Sequence, residues 1–292
     1  MKPLFLICLL SFSFFTFSKE LIDFIPASIQ TIVKVDKDKL FNDPVTQELL
    51  APFETQIDSV QGMIQQFVGL DLKLISTFWF LSDKKDSSVL VGEGFLDVDS
   101  ITNTMGKMPN VEQRIVPGIL FVADYDDDET GKEKTILVFS ERYVVMGDRE
   151  VTGFLAQAWL GKTEVFTQDN KQLSWFNTNS GLVVATILCE LGVLPDMDPN
   201  IALYAKGLAA VVDTNNETLE VKIIINTAHE DHAKAIVGIA ENAIVLVKDH
   251  PNLQAGFIQK ILTNVIVSAD GKDVRLNIIV TQEEILSLLQ EN

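Results

Sequence analysis

The chain has 292 residues and a formal net charge of −18, from 41 Asp and Glu against 23 Lys and Arg. This charge argues against a nucleic-acid scaffold, because phosphate binding needs a basic face. The composition, 47% hydrophobic and 22% charged, is typical of a folded protein, and two Cys and three His leave little material for a disulfide framework or a structural zinc site.

The N-terminus has the pattern of a secretory signal peptide. Met1-Lys2-Pro3 precedes an apolar and hydroxyl stretch at 4–17, and the first carboxylate is Glu20. The apolar run is about 14 residues, short of the roughly 20 that cross a bilayer. We therefore expect cleavage between Ser18 and Lys19 and export to the periplasm or the cell exterior. No later apolar run is long enough to predict a membrane span in the mature chain.

The first half of the mature chain reads as short strands separated by helices. Residues 31–35 predict a strand, and Asp43-Pro44 predicts a helix start, with Asp43 as its cap and Pro44 in its first position. Pro52 should kink or split this helix. The other predicted elements are a hairpin at 74–81 and 88–95, a helix at 97–108, strands at 111–116, 119–124, 135–140 and 143–146, and a helix capped by Asp148.

The second half shows a comparable order of elements. Thr227 and Glu230 match a capping box, as do Thr281 and Glu284, so each pair predicts a helix start. Asp270-Gly271 is a hairpin turn signal. The predicted elements are a helix at 181–194, paired strands at 203–213 and 219–227, a helix ending near 247, a hairpin at 264–269 and 274–280, and a final helix.

Equivalent features of the two halves lie at nearly constant separations. The predicted strand ends at Phe95 and Asn226 are 131 residues apart, and the helix caps Asp148 and Thr281 are 133 residues apart. This spacing predicts an internal repeat. The signal peptide would occupy 1–18, the first unit 19–162 and the second unit 163–292, with a polar connector near 161–173.

Hairpins separated by helices favour an α+β fold, in which two similar units of antiparallel sheet carry helices packed on one face. Some strands are apolar on both sides, as at Phe78-Trp79-Phe80-Leu81 and Ile223-Ile224-Ile225. A sheet with one solvated face should alternate instead. A helix, the other unit or a partner must therefore cover these strands on their second face.

An acidic segment supplies the candidate metal site. Asp124, Asp126 and Asp128 have the alternating spacing with which a loop can place oxygen ligands around calcium. An EF-hand needs glycine at the sixth position and glutamate at the twelfth, where this chain has Glu129 and Thr135. The alternative is a solvated turn whose charges discourage pairing at a sheet edge.

The histidines offer a second metal hypothesis, which we disfavour. His229 and His232 can share one face of a helix, but helical zinc sites more often use a four-residue interval and a third ligand. Glu230 is also assigned to the capping box. Cys189 stands alone once the leader is removed and is interpreted as a small buried hydrophobe.

The sequence contains no nucleophile elbow, P-loop, dinucleotide-binding glycine motif or metalloprotease helix motif. A reaction needs a base, nucleophile or metal held by a second group. We therefore expect a binding or structural role. The strand at 78–81, with large apolar side chains on both faces, suggests a buried strand or a surface that captures a protein partner or an apolar ligand.

The chain resembles uncharacterised exported proteins of planctomycete, verrucomicrobial and lentisphaeral bacteria. The likeness lies in the start Phe24-Ile25-Pro26-Ala27, the strand at 31–36, the helix from Asp43 and the hairpin–helix–hairpin ending of each half. This resemblance implies an exported protein of related α+β units and carries over no catalytic residue. The leading hypothesis is thus an exported, non-catalytic binding or structural protein. The alternative is a divalent-cation-dependent hydrolase or calcium-regulated protein that uses Asp124, Asp126 and Asp128.

Overall fold

The fold is α+β, and the strands that the structure describes belong to one antiparallel sheet. The structure is a computed structural model, and it describes residues 20–83, 85, 87–127, 131–166, 170–188, 203–248 and 264–291. Within these residues the sheet has twelve strands in the order β11-β12-β10-β9-β8-β1-β2-β3-β7-β6-β5-β4. The strands are β1 (Ile29–Asp36), β2 (Ile75–Asp83), β3 (Ser88–Gly94), β4 (Val111–Arg114), β5 (Phe121–Asp126), β6 (Glu133–Ser140), β7 (Tyr143–Asp148), β8 (Val183–Ile187), β9 (Ala205–Asn215), β10 (Thr218–Thr227), β11 (Val265–Asp270) and β12 (Asp273–Thr281).

The helices connect hairpins of this sheet and follow its last strands. In the described part of the chain they are α1 (Lys37–Asn42), α2 (Pro44–Leu50), α3 (Glu54–Val68), α4 (Val98–Met105), α5 (Arg149–Trp159), α6 (Lys171–Thr178), α7 (Glu230–Lys248) and α8 (Gln282–Glu291). Short 3₁₀ segments lie at Leu21–Phe24, Ala51–Phe53 and Leu72–Leu74.

The sheet has the same order on both sides of its central pair, β1 and β8. Reading outward, one side runs β1-β2-β3-β7-β6 and the other β8-β9-β10-β12-β11. The ends of β3 and β10, at Gly94 and Thr227, are 133 residues apart, as are the ends of β7 and β12, at Asp148 and Thr281. Among the described strands, only the first half adds a hairpin, β4–β5, beyond β6.

Helices cover both faces of the sheet. Val144 and Val145 are neighbours in β7 and therefore point to opposite faces. Val145 packs in a cluster with Leu155 of α5, whereas Val144 packs in another cluster with Ile101 of α4. The prediction of helices on one face is therefore wrong, because strands that are apolar on both sides need cover on both.

The two halves share one core cluster. Trp79 of β2 is 5% exposed and lies 5.7 Å from the ring of Phe176 in α6. Val184 of β8 and Val211 of β9 belong to the same cluster as Trp79. The expected second cover of the strand at 78–81 thus comes, on the Trp79 side, from the other half of the chain.

Two predictions near the start of the second half are wrong. Residues 183–187 form strand β8 instead of a helix, because they pair with Thr31–Val35 of β1. Residues 171–178 form helix α6, although the predicted connector extended to 173; Asn170 caps this helix by accepting a hydrogen bond from the Leu173 amide. The rest of the predicted helix, at 189–194, lies outside the described residues.

All four helices with a predicted capping residue form, but only two of the four predicted side-chain caps are made. Asp148 precedes α5, yet its carboxylate accepts from the Ser88 amide and from Lys134 instead of capping the helix. Asp43 caps α2, with Pro44 in its first turn, and the Thr281–Glu284 capping box is formed in both directions. The predicted capping box at Thr227 is wrong. The Thr227 hydroxyl lies within hydrogen-bonding distance of the Lys272 and His229 carbonyl oxygens, so it does not cap α7.

Candidate functional site

An open cleft of about 1090 Å³ lies where several strands end. Its walls come from the start of β2, the end of β3, the turn between β6 and β7 and the end of α5. Gly94 is required at this junction, because a Cβ there would overlap the carbonyl oxygen of Leu74. The sheet therefore brings residues that are distant in sequence to one concave surface.

The cleft carries large apolar side chains that the chain leaves uncovered. Phe95, directly after β3, is 85% exposed, Leu120 before β5 is 57% exposed, and Leu74 before β2 is 44% exposed. All three line the cleft. Single exposed apolar residues are common on protein surfaces, but a group in one concavity is typical of a binding site.

A packed aromatic cluster supports the cleft from beneath. The ring of Trp159, which lines the cleft, stacks on Phe139 at 5.1 Å and 10°. Phe24 meets Trp159 edge-on at 4.9 Å and Phe139 at 5.7 Å. Phe24 is 1% exposed and Tyr143 is also buried, so the wall is a rigid part of the main core.

Charged side chains in the cleft lining are held in a structural network. The Arg142 Nε donates to Glu93 Oε1 at 3.0 Å, and its two terminal nitrogens donate to Glu20 at 3.1 and 2.9 Å. The other Glu93 oxygen accepts from Trp79 Nε1 at 2.9 Å. Partial burial disfavours the charge on Arg142, but the hydrogen bonds to Glu20 and Glu93 outweigh it and raise its pKa. Arg142 therefore stays charged and links the N-terminal segment at Glu20 to β3 at Glu93.

Tyr143 is the buried polar group beside this network. Burial raises the pKa of its phenol above the ordinary value of 10, and the negative charge of Glu93 adds to the effect. The backbone of Leu21 lies close enough to affect the hydroxyl, yet the two do not meet normal hydrogen-bond geometry. The phenol is thus protonated at neutral pH, and it is not a general base there.

The structure places Asp124 inside a network with two arginines. Thr135 Oγ1 donates to Asp124 Oδ1 at 2.6 Å, and Arg114 Nη2 donates to the same oxygen at 3.0 Å. Arg114 Nε and Arg149 pair with Oδ2, the latter at 3.7 Å. These cations already supply the positive charge that a buried carboxylate needs.

The other candidate calcium ligands are not gathered around Asp124. Asp126 is an exposed residue at the end of β5, and Asp128 lies outside the described residues. Among the residues that the structure describes, no three His, Cys, Asp or Glu side chains are grouped to hold a metal ion. The calcium site stays a prediction.

His229 and His232 are brought together at the start of α7. Their rings lie 4.9 Å apart and nearly perpendicular, and His232 also contacts the ring of Tyr204 at 4.8 Å. The two histidines thus pack on each other without a third ligand among the described side chains. Cys189 lies outside the described residues.

Sequence reasoning missed the cleft itself. It singled out the strand at 78–81, where Trp79 is core and Phe80 is 44% exposed. The sequence signal for the cleft was Phe95, which directly follows the glycine at the end of β3. An aromatic residue just after a strand lies outside the alternation that places side chains in the core. Leu120 and Arg142 gave no comparable sequence signal.

Comparisons with known proteins bear on the fold. No family model matches the chain, and no curated protein matches it. Crystal form III of TP0453, a spirochaete protein, aligns with a TM-score of 0.53 at 7% identity, over 95% of this chain and all of that one. Crystal form I aligns with a TM-score of 0.50 at 8% identity, over 94% and 98%. At this identity the likeness shows the fold alone.

The same comparisons leave the sequence resemblance to planctomycete, verrucomicrobial and lentisphaeral proteins a prediction. In the described part of the chain, none of the helices is both long and apolar enough to span a bilayer.

Proposed function

We propose that this protein is an exported, non-catalytic binding protein that holds an apolar ligand in the cleft. The observation that carries the proposal is the exposure of Phe95, Leu120 and Leu74 in one concave surface. Burying a fully exposed Leu or Phe side chain is worth about 1.5–3 kcal/mol, and each of these three would gain the part of it that corresponds to its exposed fraction. The cleft therefore favours an occupant that covers these three residues.

The polar lining supports binding over catalysis. Arg142 donates hydrogen bonds to both Glu93 and Glu20, and Glu93 also accepts one from Trp79. Hydrolysis requires an activated nucleophile or metal positioned beside a second group. The groups of this network instead hold the N-terminal segment and β3 against the β6–β7 turn, which keeps the apolar walls in place.

Binding is tested with the neutral fluorescent probe N-phenyl-1-naphthylamine, because a neutral probe is not repelled by the acidic protein. We expect saturable enhancement of probe fluorescence with the wild type. The double variant Phe95→Ser/Leu120→Ser should weaken binding by about tenfold or more, since it removes two apolar contacts. The matched control is Ile115→Ser, because Ile115 is 98% exposed and does not line the cleft.

Equal affinity of the double variant and the wild type for the probe would show that the probe does not bind in the cleft. Absence of saturable binding by the wild type would count against an apolar ligand altogether. Equal loss in the Ile115→Ser control would show that the probe reports general surface hydrophobicity.

Export is supported by the signal peptide pattern at 1–18. We expect protein recovered from the native host to begin at Lys19. Intact-mass measurement of the recovered protein checks this, and fractionation shows whether it is in the periplasm or the medium. An intact N-terminus on protein found in the cytoplasm would contradict export while leaving the binding proposal open.

A further inference from the structure

The two edges of the sheet differ in how they are protected. Edge strand β4 has four residues, and its last three, Glu112, Gln113 and Arg114, are exposed and polar. Edge strand β11 reads Val-Ile-Val-Ser-Ala-Asp and carries no charge before Asp270. Short length and charged side chains are the usual protection of an edge against pairing with another chain. β4 has both, whereas β11 is longer and carries a charge only at its last residue, Asp270.

The first half of the chain shows what covers the equivalent position. β6 is the counterpart of β11, because each is the fourth strand outward from the central pair, β1 and β8. β6 is not an edge, since Phe121–Asp126 of β5 pairs antiparallel with it. In the described part of the second half, no strand occupies that place beside β11. Within the described residues, the fold therefore has one position for an antiparallel strand filled and its counterpart open.

Apolar side chains accompany the open edge. Ile266 of β11 is 60% exposed. Helix α7 packs on β11 through the cluster that contains Ala233, Ile236 and Val267. Near its C-terminal end this helix carries Val245 and Leu246, which are 56% and 72% exposed.

We propose that β11 pairs antiparallel with β11 of a second copy of this chain, which continues the sheet across a two-fold axis. The strand is self-complementary when the axis passes through Val267. In that register Val265 faces Ala269 of the other copy, and Ile266 faces Ser268. Asp270 then faces Asn264, so no two like charges lie opposite each other, which would be destabilising.

The helix must take part in this interface. Stable interfaces bury about 1,200–2,000 Å² in total, more than two six-residue strands supply. The α7 helices of the two copies would lie on the same face of the joined sheet, where Val245 and Leu246 can be covered. A two-fold arrangement pairs the β11 edge of one copy with the β11 edge of the other, so no β11 edge is left for a third copy and assembly stops at a dimer.

Charge predicts how this dimer depends on salt. Each copy carries a net charge of −18, so two copies repel each other at long range. Dissolved salt screens charges that are separated by more than about 8–10 Å at physiological ionic strength. Association through an apolar strand and helix should therefore strengthen as salt is raised, whereas an interface made of ion pairs would weaken.

Sedimentation velocity of the purified protein over a range of concentrations, at low and high salt, tests the proposal. We expect a monomer–dimer equilibrium that shifts toward dimer at high salt. The variant Ile266→Glu/Leu246→Glu should weaken dimerisation by at least about tenfold, or 1.4 kcal/mol. The control Ile115→Glu adds one negative charge at an exposed position of the first half and should dimerise almost as well as the wild type.

Hydrogen–deuterium exchange gives a second readout that needs no variant. Backbone amides of β11 should become more protected as protein concentration rises, while those of β4 should not. A wild type that is monomeric at every concentration and salt overturns the proposal, including the case in which the strand serves a different protein. A dimer that persists in the double variant, or that leaves exchange in β11 unchanged, also overturns it.

Discussion

Replacing Phe24 by alanine is expected to lower the free energy of unfolding by about 3–5 kcal/mol. Phe24 is 1% exposed and packs edge-on against Phe139, Tyr143 and Trp159, at 5.7, 5.9 and 4.9 Å between ring centres. Its removal leaves a cavity beneath the cleft, because the remaining rings are held by the main core and cannot all move inward. Urea unfolding followed by far-UV circular dichroism measures the change.

Phe95→Ala is the matched control for Phe24→Ala. It deletes the same side chain from a position that is 85% exposed, so the free energy of unfolding should change by less than about 1 kcal/mol. The two variants should also differ in binding to the cleft, because Phe95 lines the cleft directly, whereas Phe24 packs beneath it. A loss below about 1 kcal/mol for Phe24→Ala would show that the N-terminal segment is not part of the core.

The second large effect is expected at Asp124, and it depends on pH. Burial disfavours the charge of this carboxylate, but hydrogen bonds from Arg114 and Thr135 and the charges of Arg114 and Arg149 outweigh burial and lower its pKa below 3.8. A lowered pKa in the folded state means that ionised Asp124 stabilises the fold at pH values above 3.8. This contribution disappears as the pH falls through the folded-state pKa.

We therefore expect Asp124→Asn to lower the free energy of unfolding at neutral pH by about 1.5–3 kcal/mol, the range for hydrogen bonds to charged groups. The difference from the wild type should shrink as the pH falls below 3.8 and vanish below the lowered folded-state pKa, where the carboxyl of the folded wild type is neutral as well. Urea unfolding at a series of pH values measures it. Asp126→Asn is the control, since Asp126 is exposed on the same strand, and it should change stability by about 0.5 kcal/mol or less.

A difference between Asp124→Asn and the wild type that stays constant from neutral to acid pH would contradict the role of the charge. A difference that appears only when calcium is added would instead support the calcium hypothesis. The same pair of variants thus separates a structural carboxylate from a metal ligand.

The sequence predicted those elements whose signals are local. The helix at Asp43-Pro44 and the capping box at Thr281 both depend on contacts within a few residues. Thr227 shows the same motif as Thr281, but the Lys272 carbonyl across the neighbouring hairpin competes for its hydroxyl. A tertiary hydrogen bond decided that case, and no local pattern contained it.

Strand β8 and the cleft depend on distant partners. Residues 183–187 are apolar enough for a helix or a strand, and pairing with β1 decides between them. In the cleft network, Arg142 bonds to Glu93 at a separation of 49 residues and to Glu20 at a separation of 122 residues. These contacts follow from strand order, which a single sequence does not specify.

The pairing of β1 with β8 has a consequence for how the chain acquires its shape. The sheet becomes continuous only when Thr31–Val35 has paired with Val183–Ile187, which is about 150 residues away in the sequence. Contacts between such remote segments have a high entropic cost and slow the approach to the native state. During this delay the apolar edge of β1 is open to other chains, so an intermediate at this stage would be prone to aggregation. We expect refolding yield to fall steeply with protein concentration for this reason.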